Sequence, residues 1–139
     1  MVMKKIDQLA FPKNLSVILE KDGIWSDDTF APITVLVVEG ELDGADITCY
    51  QFEIPVGEDF EEIEAVMEAH DMEASGLDWE DMIREYIHRI DPILENKLQS
   101  ESETETCILW VPDEANFRKA FGHVLDLVND LGAVKRLFS

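Results

Sequence analysis

The feature of the sequence that most constrains its fold is a helical spacing of apolar residues inside a strongly acidic tract. Residues 56–105 contain seventeen Asp or Glu and three Lys or Arg, which gives this tract −14 of the chain's formal charge of −20. The apolar residues in its second half follow the i, i+3, i+4, i+7 spacing of an amphipathic helix. They are Trp79, Met82, Ile83, Tyr86, Ile87 and Ile90. The tract is therefore predicted to be a folded acidic surface, since a disordered acidic tail would lack this apolar stripe.

The remaining apolar pattern predicts an α+β fold in one domain spanning residues 1–139. Alternation or apolar runs predict four strands, at residues 15–19, 33–38, 47–54 and 106–111. Helical spacing predicts helices at residues 59–70, 78–90, 92–98 and 113–132, with one more short element after Gly132. The order is roughly β-β-β-α-α-β-α, with the helices packed on one face of a mainly antiparallel sheet.

Individual residues are assigned within these elements. In the first helix Phe60, Ile63, either Val66 or Met67, and His70 are expected to face the core, with the glutamates at 61, 62, 64 and 68 facing solvent. Asp78 is a candidate N-cap and Trp79 a core residue of the second helix. Gly132 is a candidate stop for the last one.

No motif in the sequence indicates catalysis, a cofactor or a metal. The sequence has no G-x-S-x-G, no glycine-rich phosphate loop and no spaced calcium loop, and its three histidines are isolated from one another. The two cysteines, Cys49 and Cys107, fall in predicted strands, where they are either buried thiols or sheet neighbours. Abundant carboxylates leave a small hydrolase open as a third, weaker hypothesis.

The charge restricts the partners that the protein can attract. A strongly acidic surface repels nucleic acid and anionic membranes, and it attracts cationic proteins. Neither a signal peptide nor an apolar run long enough to span a bilayer is evident, so a soluble cytoplasmic protein is expected. A solvated face that only maintains solubility is the alternative explanation of the charge.

The second helix also carries a family resemblance. Gly76-Leu77-Asp78-Trp79-Glu80 forms a G-x-D-W step, followed by Pro92, Leu94, a strand and a last helix with Phe117, Phe121 and Leu125. Over residues 70–130 this pattern resembles small acidic immunity proteins of bacterial polymorphic-toxin systems, most of all the Imm51-type group. The resemblance implies a cytoplasmic inhibitor that binds a cognate toxin and has no catalytic activity of its own.

The sequence and the resemblance together suggest an immunity-type protein that places an acidic surface on a basic toxin domain, such as a nuclease. It is expected to be a monomer or weak dimer without a cofactor. Nine candidate contacts are taken from the first two helices and from a predicted loop around Trp25, which either anchors a partner or tucks its own loop down. They are Trp25, Asp27, Asp28, Glu61, Glu62, Glu64, Glu68, Asp81 and Glu85.

A second hypothesis is an acidic adaptor or subunit domain in a homo- or hetero-oligomer. It requires an exposed apolar patch, for which the Phe117/Phe121 helix and the segment 133–138 are the candidates.

Overall fold

Five antiparallel strands form the sheet that organises the chain. The structure is a computed structural model that describes residues 4–139. The spatial order of the strands is β1-β2-β3-β5-β4, and every neighbouring pair is antiparallel. Their bounds are β1 Ile24–Asp27, β2 Thr34–Leu42, β3 Ala45–Pro55, β4 Gln99–Ser100 and β5 Thr106–Val111. The predicted α+β fold is confirmed, with five strands instead of about four.

Six α-helices occupy the rest of the described chain, with short 3-10 turns at Ile6–Gln8 and Glu58–Phe60. The helices are α1 Leu15–Asp22, α2 Glu61–Ala69, α3 Gly76–Ile90, α4 Pro92–Lys97, α5 Glu114–Val128 and α6 Leu131–Leu137. Aspartate N-caps begin the last three. Asp91 and Asp113 accept hydrogen bonds from the backbone N–H groups of Leu94 (3.1 Å) and Asn116 (2.8 Å), and Asp130 caps α6.

The main hydrophobic core lies between one face of the sheet and the helices. Phe52 of β3 packs against Phe117 and Phe121 of α5, with ring centroids 6.2 Å and 5.4 Å apart. Both phenylalanines are buried, so the exposed patch suggested for this helix is not present. Trp79 of α3 is fully buried in the same core, as predicted.

Residues 15–22 form a helix, and the strand predicted there was wrong. Leu15 is half-buried and Leu19 is buried, while Val17 between them is 57% exposed. An alternation of five residues also satisfies an i, i+4 helical pair, so the period alone did not decide between the two structures. Gly23 ends the helix with a left-handed backbone, at φ 75°.

Two helix boundaries and the position of one side chain differ from the prediction. The N-cap of α3 is Ser75, whose hydroxyl accepts from the backbone N–H of Asp78 at 3.2 Å, and Asp78 completes a capping box from the third helical position. Helix α5 ends at Val128, so Gly132 lies inside α6 instead of stopping α5. His70, expected on the inner stripe of α2, is exposed and stacks on Phe138, with ring centroids 5.0 Å apart.

Gly76 fixes the start of α3 against the sheet. A Cβ atom at this position would overlap the backbone carbonyl oxygens of Glu103 and Thr106. The absence of a side chain therefore allows the first turn of α3 to pack directly on the chain that leads into β5.

Candidate functional site

Helix α2 presents an unneutralised acidic surface. The sequence contains no Lys or Arg between Lys21 and Arg84, so the local chain supplies no countercharge. Five exposed carboxylates define the acidic surface of α2: Glu58, Asp59, Glu61, Glu62 and Glu68. None of the salt bridges in residues 4–139 involves any of these five. A surface of this kind attracts cations over a distance set by the ionic strength.

The fold forms this surface because the largest apolar residues of the segment pack into the core. Phe60, Ile63 and Met67 are buried at the i, i+3 and i+7 positions, as predicted. The exposed side of the helix is left to Glu61, Glu62 and Glu68. Carboxylates in the first turn also interact favourably with the helix N-terminus, which offsets part of their mutual repulsion.

Two concave regions border α2. A cavity of about 240 Å³ is lined by Glu58, Asp59, Glu61 and Glu62 together with residues at the end of α5. A larger one, of about 670 Å³, lies between α2, the start of α3 and the start of β5. Its carboxylates come from three separate segments. They are Glu64, Glu68, Glu73 and Glu105.

Glu64 is buried, which contradicts its prediction as a solvent-facing partner contact. Its carboxylate accepts hydrogen bonds from the backbone N–H of Gly57, at 3.2 Å to each oxygen, and from Trp79 Nε1 at 3.0 Å. Its side chain is on the inner stripe because it is four residues after Phe60 and three before Met67. Glu64 therefore joins α2 to α3 and contributes charge only to the floor of the larger cavity.

The predicted residues on α3 are exposed but differ in their partners. Glu85 accepts a hydrogen bond from Arg89 Nε at 2.8 Å, which partly neutralises its charge. No ion pair within residues 4–139 involves Asp81. Asp81 is therefore the more available contact for a cationic partner.

The predicted loop around Trp25 is the edge strand β1. Trp25 is half-buried and its ring packs on Phe11, with centroids 5.4 Å apart. Asp27 accepts hydrogen bonds from the backbone N–H of Thr29 at 3.2 Å and from its hydroxyl at 2.7 Å. Only Asp28 of this group is exposed. These three residues belong to the β1 edge, so the fold assigns them to a different element from the acidic surface of α2.

Sequence reasoning missed four carboxylates that the structure adds to the site. Glu58 and Asp59 precede the helix in an acidic stretch and were detectable from charge alone. Glu73 and Glu105 are 32 positions apart in the sequence, and only the packing of α3 on β5 brings them to one cavity.

Two buried thiols and one carboxyl group outside this surface have raised pKa values. Burial raises the pKa of the Cys107 thiol to about 12, although a hydrogen bond with Ser102 acts in the opposite direction. Burial also raises the pKa of Cys49, and both thiols are free. Burial raises the pKa of Glu53, and the Glu103 carboxylate raises it further. No three His, Cys, Asp or Glu side chains within residues 4–139 are grouped to hold a metal ion.

The chain matches no protein-family model, no curated protein and no solved structure. Of the helices in the described part of the chain, none has both the length and the apolar character needed to cross a membrane. The acidic surface of α2 is therefore interpreted from its own geometry and charge.

Proposed function

We propose that this protein is an immunity-type inhibitor that neutralises a cognate bacterial toxin by docking the acidic surface of α2 on a basic region of that toxin. The toxin is a basic domain such as a nuclease, and the inhibitor acts by covering it and not by catalysis. The observation that carries the proposal is the set of five exposed carboxylates with no ion-pair partner among the described residues.

The distribution of charge supports a binding role over a general role in solubility. Where the chain has bases, its acids are often paired, as at Glu80–Arg84 (3.1 Å) and Glu114–Arg118 (2.9 Å). The acidic surface of α2 is left without such partners and lies between two cavities. Concentrating like charges destabilises the folded state, and a cationic partner would relieve that repulsion on binding.

The test is capture of a partner from an extract of the native cell by the purified protein, followed by elution with salt. We expect one basic protein that is retained at low ionic strength and released at high ionic strength. Substitution of Glu61, Glu62 and Glu68 by Lys should slow its association by about tenfold or more at low salt, because charges at an interface act mainly on the association rate.

A matched control reverses three exposed acids on the β2–β3 hairpin: Glu39→Lys, Glu41→Lys and Asp46→Lys. This variant changes the net charge of the chain by the same amount, at a site away from α2. It should keep most of the association rate. Equal losses of association rate in the two triple variants would show that the total charge matters and not the acidic surface of α2. An unchanged association rate in the α2 variant would exclude this surface as the binding site.

Inhibition is tested with the captured protein itself. If that protein is toxic when expressed alone, co-expression of the wild-type chain should restore growth, and the α2 triple variant should restore it less. A captured partner that remains fully active when bound would exclude the inhibitor role and leave an adaptor role.

A further inference from the structure

A second surface, between α3 and α6, differs from the acidic surface of α2 because its charges are balanced. A cavity of about 310 Å³ lies there, with Tyr86, Ile90 and Leu137 as its large apolar lining and Arg89, Asp130 and Arg136 as its charged lining. We call this region the α3–α6 patch. It uses none of the residues of the acidic surface of α2.

Two exposed aliphatic side chains lie at the end of α3 and the start of α4, and the first of them lines this cavity. Ile90 continues the apolar stripe of α3 and was expected to be buried, yet it is 49% exposed. Ile93 follows at the start of α4 and is 72% exposed, the largest exposure of any large apolar residue in the described chain. Ile90 therefore offers an aliphatic group at the cavity that a contact with another molecule can cover.

The charged residues around the patch occur as pairs of opposite sign. Arg89 Nε lies 2.8 Å from a carboxylate oxygen of Glu85, and Arg136 Nη2 lies 3.5 Å from one of Asp130. All four side chains are more than half exposed. Each pair can therefore exchange partners with a neighbouring molecule without first being uncovered.

The charged groups that act on the Tyr86 side chain, in the lining of the cavity, are also of both signs. Burial raises the pKa of Tyr86, the carboxylates of Asp126 and Asp130 raise it further, and Arg136 lowers it, which places both signs near this ring. The patch is thus close to neutral on a chain of charge −20.

We propose that the α3–α6 patch is the contact surface between two copies of this chain, related by a two-fold axis. A two-fold contact places the same surface on both molecules, so that surface must be complementary to itself. Here Arg89 and Arg136 of one copy can meet Glu85 and Asp130 of the other, around a centre formed by Ile90. A contact between two acidic surfaces would instead oppose like charges.

Charge also argues against other occupants of the patch. A cationic partner is attracted more strongly to the acidic surface of α2, and an anionic partner is repelled by the chain as a whole. A second copy gains the apolar contact where mutual repulsion is smallest. Because two copies of charge −20 repel each other, the dimer is weak and depends on concentration.

The expected salt dependence is opposite to that of the proposed toxin contact. Two copies of charge −20 repel each other over long range, and salt screens that repulsion while the apolar contact remains. Dimerisation therefore strengthens as salt rises, whereas binding of a basic partner to α2 weakens. This difference keeps the two proposals separately testable.

Sedimentation equilibrium of the full chain over a wide concentration range, at low and high salt, tests the proposal. We expect a monomer–dimer equilibrium that shifts towards dimer at high salt. Ile90→Glu should weaken dimerisation by about tenfold or more, because it replaces a buried aliphatic contact by a charge. Leu77→Glu is the matched control, since Leu77 is 54% exposed on the first turn of the same helix, and it should leave the equilibrium unchanged.

Two charge variants keep the test decisive if Ile90→Glu folds poorly. Arg136→Glu alone makes the patch acidic and should weaken the dimer. Exchanging the pair, with Glu85→Arg and Arg89→Glu together, keeps the patch neutral and should retain it. A chain that stays monomeric at every concentration in high salt would overturn the proposal, as would equal effects of the Leu77 and Ile90 variants.

Discussion

Replacing Glu64 by Ala should destabilise the fold even though its charge belongs to the acidic tract. The carboxylate accepts hydrogen bonds from Trp79 Nε1 and from the backbone of Gly57. Trp79 is fully buried, so its N–H group would lose its partner without access to water, at a cost of about 1–3 kcal/mol. Gly57 is exposed and can bond to water, so it adds little. We expect a loss of about 2 kcal/mol in the free energy of unfolding, or roughly 6–8 °C in the melting temperature.

The assay is urea unfolding followed by circular dichroism, with Glu68→Ala as the matched control. Glu68 is exposed on the same helix, so its replacement should change stability by less than about 0.5 kcal/mol. The hydrogen bond itself is isolated by repeating Glu64→Ala in a Trp79→Phe background, where the indole donor is absent. The effect of Glu64→Ala should be smaller there. An equal effect in both backgrounds, or one no larger than that of Glu68→Ala, would refute the structural role of Glu64.

Three further predictions concern packing and titration. Gly76→Ala should destabilise the chain by about 3 kcal/mol or more in thermal unfolding, because the added Cβ would meet backbone carbonyls. The control Gly122→Ala, inside α5, should stabilise the chain by about 0.5–1 kcal/mol. Equal effects of the two substitutions would contradict the tight packing at Gly76. Glu53→Gln should stabilise the chain at neutral pH and not at acidic pH. The folded state raises the pKa of Glu53, so its ionised carboxylate destabilises the folded state only as the pH rises above the unfolded-state pKa. A difference in the free energy of unfolding between wild type and variant that does not change with pH would contradict this prediction. Cys107 should be alkylated more slowly than Cys49 in the native protein, because burial raises its pKa to about 12, and the two rates should be similar in urea. Faster alkylation of Cys107 than of Cys49 in the native protein would contradict this raised pKa.

Long apolar patterns were enough to predict most of the fold. The strand Thr106–Val111 lies where the sequence predicted it, and the strands β2 and β3 extend the predicted ones by a few residues. The short elements were less predictable. Helix α1 was mistaken for a strand because Leu15 and Leu19 fit both periods, and β1 is only four residues long, too short for its alternation to be recognised.

The position of Glu64 shows how chemistry and geometry can conflict in a sequence. Its charge suggested a solvent-facing side chain, while its spacing from Phe60 and Met67 placed it on the buried stripe. The conflict is resolved by Trp79, whose indole N–H needs an acceptor in the core. The partner is fifteen residues away and on another helix, so the local sequence did not reveal it.

The candidate site was predictable as a region but not as a cavity. The charge of the tract and the helical spacing located Glu61, Glu62 and Glu68 on one exposed side. The contributions of Glu73 and Glu105 depend on how α3 meets β5, which no local pattern encodes. The same tertiary packing leaves Ile90 exposed at the end of an otherwise buried stripe.

The most direct test of the central claim is the association rate of the captured partner, measured over a series of salt concentrations. We expect a rate that falls steeply with salt for the wild type and for the hairpin control variant. For the variant with Lys at positions 61, 62 and 68 the rate should be lower and much less dependent on salt. A wild-type rate that is independent of salt, or the same salt dependence in all three proteins, would contradict the claim that the acidic surface of α2 recruits the partner.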